Sequence, residues 1–312
     1  MKPHPNAVLV VLGCTWGMSF LFIKVILDDI SPLELVTARM FLGAFVMMSF
    51  LFFNHRTIPR QPSFFAKVTV FAIFSNVIPF ALIAWAETHI DSGVTSVLNS
   101  TMPLFTALFA AVVLAEEEFT MSRVIGLIAG LAGVAVLAGR DIVDLTDSSV
   151  VGQLAVVGAA GCYGAMGVFA RTLLRSHDPV TLTGLQLSLG TLVALLVTLP
   201  VEGVPDYGAL SLKAWAALLV LGLVGSGVSQ WVYLWLVDNT GSVRASLVTY
   251  VIPIVGLLLG WAVLDEHVGA NVIGGFALIV VGIAAVLRGE GPSSERELVS
   301  PTSEVIDAAP AD

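Results

Sequence analysis

Charge is scarce in this chain. Asp, Glu, Lys and Arg make up 12% of its 312 residues, about half the share found in soluble globular proteins. So little charge excludes a disordered chain, which needs polar residues to stay solvated. Basic residues are fewer than acidic ones, 14 against 23, which excludes a nucleic-acid binder. Two cysteines cannot build a disulfide scaffold. No Walker A loop, HExxH, GxSxG or TVGYG-like stretch occurs, and no His/Cys cluster has metal-ligand spacing. No catalytic residue, metal or cofactor is therefore expected.

Apolar residues fill the space instead, at 57% of the chain with a mean hydropathy of +0.94. A membrane helix needs about 20 mostly apolar residues. Ten such segments can be drawn, at 5–27, 33–53, 66–86, 93–114, 122–139, 150–171, 180–199, 213–236, 243–264 and 269–288. The connections between them are too short for a soluble domain, and the longer ones fall near 55–66, 140–149 and 200–212. The first segment outruns the apolar core of a signal peptide and lacks a small-residue cleavage site. The 29 glycines suit close helix approach in lipid. Gly13-x3-Gly17, Gly126-x3-Gly130 and Gly256-x3-Gly260 are read as packing within the chain, and Cys14 and Cys162 as packing residues.

With the N-terminus inside, the inner loops hold Lys2, Arg56, Arg60, Lys67, Arg123, Arg171, Arg175, Arg244, Arg288 and Arg296. The outer ends hold only Arg140 and Lys213. This asymmetry predicts both termini in the cytoplasm and an even number of crossings. Residues 289–312 carry six acids and one arginine, over half of the net charge of −9, and are expected to form a disordered cytoplasmic tail.

The halves repeat. Trp85 and Pro103 are 18 residues apart, as are Trp235 and Pro253. Ser92 and Ser96 fall on Ser242 and Ser246, Glu117 on Glu266, Gly126 and Gly133 on Gly275 and Gly282. Gly13-Cys14 falls on Gly161-Cys162, Pro32 on Pro179, and Arg39 on Gln186. A five-helix unit has an odd number of crossings, so its second copy would be inverted. Inverted repeats point to a secondary transporter with its site near the bilayer midplane.

Trp16-Gly17-Met18-Ser19-Phe20, Ile23-Lys24, Ser31-Pro32-Leu33-Glu34-Leu35 and Ala38-Arg39, with Ser92-Gly93-Val94, Pro103, Glu117 and Gly126-x6-Gly133, form a series. This series resembles the EamA family of the drug/metabolite transporter superfamily, across residues 7–288. The resemblance implies an all-α membrane protein of ten transmembrane helices in two inverted five-helix repeats, 5–139 and 150–288, around a central cavity. It implies export of small metabolites, amino acids or related compounds, or toxic molecules. The partners expected are a small solute and the bilayer, in a monomer or homodimer. The second copy departs from the pattern at Gly164, where Trp16 would sit, and at Gln186. That leaves any charge chemistry to the first half. An intramembrane enzyme would need a cluster of acids, histidines or nucleophiles inside the spans, and none is apparent; a channel or scaffold without a coupled cycle is the other reading.

Candidate site residues come from two signals. Ionisable groups inside a span are costly and tend to have a function. Arg39 either faces an anionic group or pairs with Glu34 or Asp29. Lys24 is expected to pair with Asp28, one turn away. Glu87 and His89, at the outer end of the third segment, could couple protons, or His89 is an exposed loop histidine. Mid-span prolines, at Pro79, Pro103 and Pro253, free carbonyls that must face protein or a wet cavity. Polar neighbours of these kinks are therefore lining candidates: Ser75 and Asn76, Asn99, Ser100 and Thr101, Thr249 and Tyr250. Trp16, Tyr163, Gln186 and Gln230, with Ser226, Ser229 and Trp231, complete the candidates. An interhelical hydrogen bond is the competing role for each polar one.

Overall fold

A computed structural model describes residues 4–113, 121–138, 147–175 and 177–288. Glu117, Arg140, Asp144 and the segment 289–312 lie outside the described residues. The described residues form helices α1 (Pro5–Leu27), α2 (Pro32–Phe53), α3 (Pro62–Glu87), α4 (Ser92–Val113), α5 (Met121–Ala138) and α6 (Ser148–Leu174). There follow α7 (Pro179–Glu202), α8 (Leu212–Thr240), α9 (Ser242–Leu264) and α10 (Ala270–Arg288). Eight of these runs are long and apolar enough to cross a membrane. The apolar stretches of α5 and α10, Val124–Leu137 and Ala270–Ala285, are shorter.

Local chemistry sets the helix ends. Pro32 opens α2 with its missing N–H where no partner is needed, and Ser31 and Glu34 close a reciprocal capping box around it. Asp178 accepts the N–H groups of Val180 and Thr181 at 2.9 and 3.1 Å to start α7. Gly241 stops α8 in a left-handed turn, φ 82°, that a side chain would resist. Several boundaries depart from the sequence reading: α3 starts earlier, at Pro62, α6 and α8 end later, at Leu174 and Thr240, and α7 runs through Pro200 to Glu202, so the loop starts later than expected. Near a helix C-terminus Pro200 is tolerated, and Gly203 N–H still reaches the Leu199 carbonyl.

Helices of the first half pack on helices of the second. α1 lies on α9 and α8, α2 on α7 and α8, α3 on α6 and α7, α4 on α6 and α9, and α5 along α10. Buried apolar side chains form three clusters, one around Ile26, Leu35, Met40 and Leu187, a second around Leu182, Leu234 and Val248, a third around Leu98, Val156 and Ile279. Large apolar side chains also face outward, among them Phe41, Phe45, Leu196, Leu258, Trp261 and Val281. Such a surface requires lipid around it. Lipid offers no hydrophobic drive for helix to meet helix, so contact rests on close packing. A Cβ on Gly282 would stand 2.6 Å from the Gly126 carbonyl, and one on Gly17 2.6 Å from Val255 Cβ. The glycine pairs thus serve contact within the chain.

Candidate functional site

Four helices lose regular α-geometry near mid-length. In α3, over Ile73–Val77, the ladder widens and Ile78 N–H reaches the Ile73 carbonyl five residues back. Pro79, which has no N–H to give, follows at once. In α8 the same widening covers Val220–Val228, with Ser229 N–H on the Val224 carbonyl. No proline accompanies it, and the signal missed in the sequence is the glycine run at Gly222, Gly225 and Gly227. α4 breaks at Ser100-Thr101, just before Pro103, and α9 tightens into a 3₁₀ turn over Leu247–Tyr250, just before Pro253. Hydroxyls satisfy the carbonyls at both tight breaks: Thr101 Oγ1 donates to Leu98 at 2.7 Å, Thr249 Oγ1 to Ser246 at 2.8 Å.

Beside these interruptions lies one central cavity of about 80 Å3, partly open to the outside: Ser75 comes from the widened turn of α3 and Thr249 from the tight turn of α9, Asn99 and Met102 flank the break in α4, and Gln230 follows the widened turn of α8. Trp16, Arg39, Asn99, Tyr163 and Gln230 line it, with Ser75 and Thr249. The remaining candidates do not line it. Thr101 spends its hydroxyl on its own helix. Asn76 is fully buried, and its Oδ1 accepts the Ser75 hydroxyl at 2.8 Å. Gln186 is fully buried, and neither of its amide atoms has a hydrogen-bond partner among the described residues. Tyr250 is half-buried outside the lining, which its neighbour Thr249 joins. Helical turning explains these cases: adjacent residues point about 100° apart, so only some side chains beside a kink can face one space.

Arg39 holds the centre of the site. Its guanidinium lies over the Phe80 ring, 3.7 Å from the centroid, and its Nε–H donates to Ser226 Oγ at 3.0 Å. Phe80 follows the widened turn of α3, and Ser226 sits inside that of α8. The alternative pairings read from the sequence are taken elsewhere: Glu34 accepts Ser31 N–H at 3.0 Å, and Asp29 accepts Ser211 N–H at 2.8 Å. Among the described residues no hydrogen bond reaches the two terminal guanidinium nitrogens. Arg39 is 4% exposed. Placing an arginine at the centre of a membrane helix costs about 3 kcal/mol on insertion scales, which a π face and one hydroxyl offset only in part.

The rest of the wall is mostly apolar and aromatic, and sequence reading missed much of it: Phe20, Phe71, Phe80, Met102, Met166 and Tyr233. Tyr233 could have been found, since it stands three residues after Gln230 on the same face of α8. Its ring packs 5.3 Å from that of Trp16, and Trp16 Nε1 donates to the Gly225 carbonyl at 3.1 Å. Two buried polar atoms of the lining, the Tyr233 hydroxyl and Asn99 Oδ1, have no hydrogen-bond partner among the described residues.

The charged groups beyond the cavity form a separate arrangement. Lys24 does not pair with Asp28. Its ammonium donates to the carbonyls of Glu87 and Ile90, at 2.5 and 3.1 Å, where a cation suits the C-terminal end of α3. The Glu87 carboxylate is fully buried without a hydrogen-bond partner among the described residues, within electrostatic reach of Lys24, Glu266 and Arg39. His89 is exposed, its ring tilted against that of Trp85, and it is hydrogen-bonded to Thr88. Glu266, which sequence reading placed only as a repeat mate of Glu117, accepts Ser92 N–H at 2.8 Å and Gly93 N–H at 2.9 Å. Its carboxylate fits against Gly260, where a Cβ would stand 2.2 Å from Oε2.

These features define a multi-pass helical membrane protein with a central, largely apolar cavity. The chain belongs to the EamA-like transporter family, whose model matches residues 5–139 and 150–288. It is 27% identical over 268 residues to the uncharacterized transporter YoaV of Bacillus subtilis, spanning 86% of this chain and 91% of that protein. An uncharacterized transporter of Archaeoglobus fulgidus is 27% identical over 284 residues, 89% of this chain and 98% of its own. A chloroplastic WAT1-related protein of Arabidopsis thaliana is 23% identical over 283 residues, 88% of this chain and 67% of its own. A solved crystal structure of another protein superposes with a TM-score of 0.68 at 20% identity, covering 92% of this chain and 98% of that one, and shares the fold.

Proposed function

We propose that the protein is a secondary transporter that exports small organic solutes by alternating access around the central cavity. The observation that carries this reading is the cavity itself, lined from both halves at or next to the interruptions of α3, α4, α8 and α9. Interrupted helices in a bilayer are tolerated where they line such a space. Trp16, Arg39, Asn99, Tyr163 and Gln230 are the solute-contacting groups in this reading. Asn76, Thr101, Gln186 and Tyr250 act behind the wall. Any proton coupling runs through Glu87 or His89 at the outer end of α3.

The mechanism is a rocking of two inverted five-helix repeats, 5–139 and 150–288, with ten crossings in the cytoplasmic membrane and both termini inside. The packing pairs support it. α1 on α9 has its counterpart in α6 on α4, α2 on α8 in α7 on α3, and α3 on α6 in α8 on α1. Reporters fused after Arg288 and at Asp144 should read cytoplasmic and external; the reverse at both overturns the orientation. The deciding experiment is counterflow in proteoliposomes with labelled organic acids, amino acids, nucleosides, sugars and cationic dyes. Saturable exchange of one class supports the transporter; no exchange by folded protein overturns it.

A further inference from the structure

The cavity has an unbalanced chemistry. Its lining holds one permanent cation, Arg39, and no carboxylate. Glu87 stands one helical turn beyond the lining residue Ile83 and does not reach the space. Arg39 is also oriented. Ser226 takes its Nε–H and Phe80 covers one face, so the edge bearing the two terminal nitrogens is left for another partner. A guanidinium edge of this kind matches a carboxylate in two parallel hydrogen bonds. A buried arginine with no acceptor at its terminal nitrogens is costly in a membrane; Glu87 acts on it only at longer range, so the direct acceptor is read as the solute.

Two further lining atoms point the same way. The Tyr233 hydroxyl, on a residue 7% exposed, and Asn99 Oδ1, on one 6% exposed, have no partner among the described residues. Gly167 makes room for the hydroxyl, since a Cβ there would stand 3.1 Å from it. A hydroxyl can donate to an anion, and a carbonyl oxygen can accept from an N–H or O–H group. Trp16, Phe20, Phe71 and Phe80 supply flat apolar walls.

We infer that the site is built for an organic monoanion: one carboxylate for Arg39, an aromatic body for the walls, and a hydroxyl or N–H for Asn99 Oδ1. It discriminates against the same skeleton carrying an ammonium group, because no lining residue offers that group an anionic partner. This inference rests on the transporter reading for its biological use but not for its test.

The test is equilibrium binding to the purified full chain in detergent with four probes of one skeleton: phloretate, which is tyrosine without its amino group, then tyrosine, tyramine and phloretamide. Phloretate is expected to bind saturably and at least tenfold tighter than tyrosine, with tyramine and phloretamide failing to displace it. Arg39→Lys, which keeps the charge but loses the planar fork, should weaken phloretate at least tenfold. Tyr233→Phe, which keeps the packing, should weaken it severalfold. Equal binding of tyramine, unchanged affinity in a folded Arg39→Lys protein, or no binding of phloretate each overturns the inference. The transporter reading fails separately. Exchange of another solute class without phloretate binding leaves that reading and removes this one. Phloretate binding without exchange of any solute does the reverse.

Discussion

The guanidinium of Arg39 lies 3.7 Å from the ring centroid of Phe80. The two residues stand 41 positions apart in the sequence, and the widened turn before Phe80 sets their meeting. The ring supplies a cation–π contact worth up to about 2 kcal/mol when desolvated. Phe80→Leu keeps the volume apolar and removes the π face. Solute affinity in counterflow should fall severalfold, and the melting temperature in detergent should drop by a few degrees. Unchanged exchange kinetics would show that the ring does not orient the arginine.

Glu266 joins the segment after α9 to the start of α4 through two backbone N–H groups. Hydrogen bonds to a charged acceptor contribute about 1.5–3 kcal/mol each. Glu266→Gln replaces one oxygen by an N–H that faces a donor. The variant should melt several degrees lower, and amide exchange at Ser92 and Gly93 should rise. Wild-type protection at both amides would reject the capping role.

Two glycines make a matched pair of probes. Gly282→Ala places a methyl 2.6 Å from the Gly126 carbonyl and from Gly130 N, both backbone. Neither atom can swing aside, so α5 and α10 must separate, at a cost of about 1–3 kcal/mol. At Gly158 the nearest atom to an added Cβ is Leu82 Cδ1 at 3.9 Å, an ordinary contact. There alanine should gain up to about 1 kcal/mol from helix propensity. Opposite shifts in detergent melting temperature are expected; a stabilised Gly282→Ala would refute the contact.

Asp29 links the turn after α1 to the start of α8. Hydrogen bonds from the Ser211 side chain and then its backbone amide hold its carboxyl below the usual range. A depressed folded-state value stabilises the fold above the ordinary carboxylate pKa, and that contribution is lost as pH falls through the lowered value. The difference in melting temperature between wild type and Asp29→Asn should therefore be present at neutral pH and vanish in strong acid. A pH-independent difference would show that the carboxylate charge is not involved.

Much of the architecture was legible in the residues. Long apolar runs bounded by Pro32, Pro62, Pro179 and Gly241 mark helices wherever they occur, because backbone in lipid must satisfy its own hydrogen bonds. The internal repeat was readable from fixed spacings such as Trp85 to Pro103 and Trp235 to Pro253. Arg39 was marked by being costly in a span and Asn99 by being polar beside a kink, and both line the cavity. The partners of charged groups were less legible. Lys24 had Asp28 one turn away but serves two carbonyls of another helix. Arg39 had Glu34 nearby but meets Ser226, 187 positions on.

The sequence by itself determined that this chain lives in lipid, that it is helical, and that its halves share one plan. Those properties follow from composition and spacing, which act through local hydrogen bonding and transfer into the bilayer. Only the tertiary structure decided which polar side chains face the common space. A helix turns about 100° per residue, and a widened turn resets that phase for everything after it. Asn99 and Thr101 are two residues apart, about 200° around a helix, and the first lines the cavity while the second bonds its own backbone.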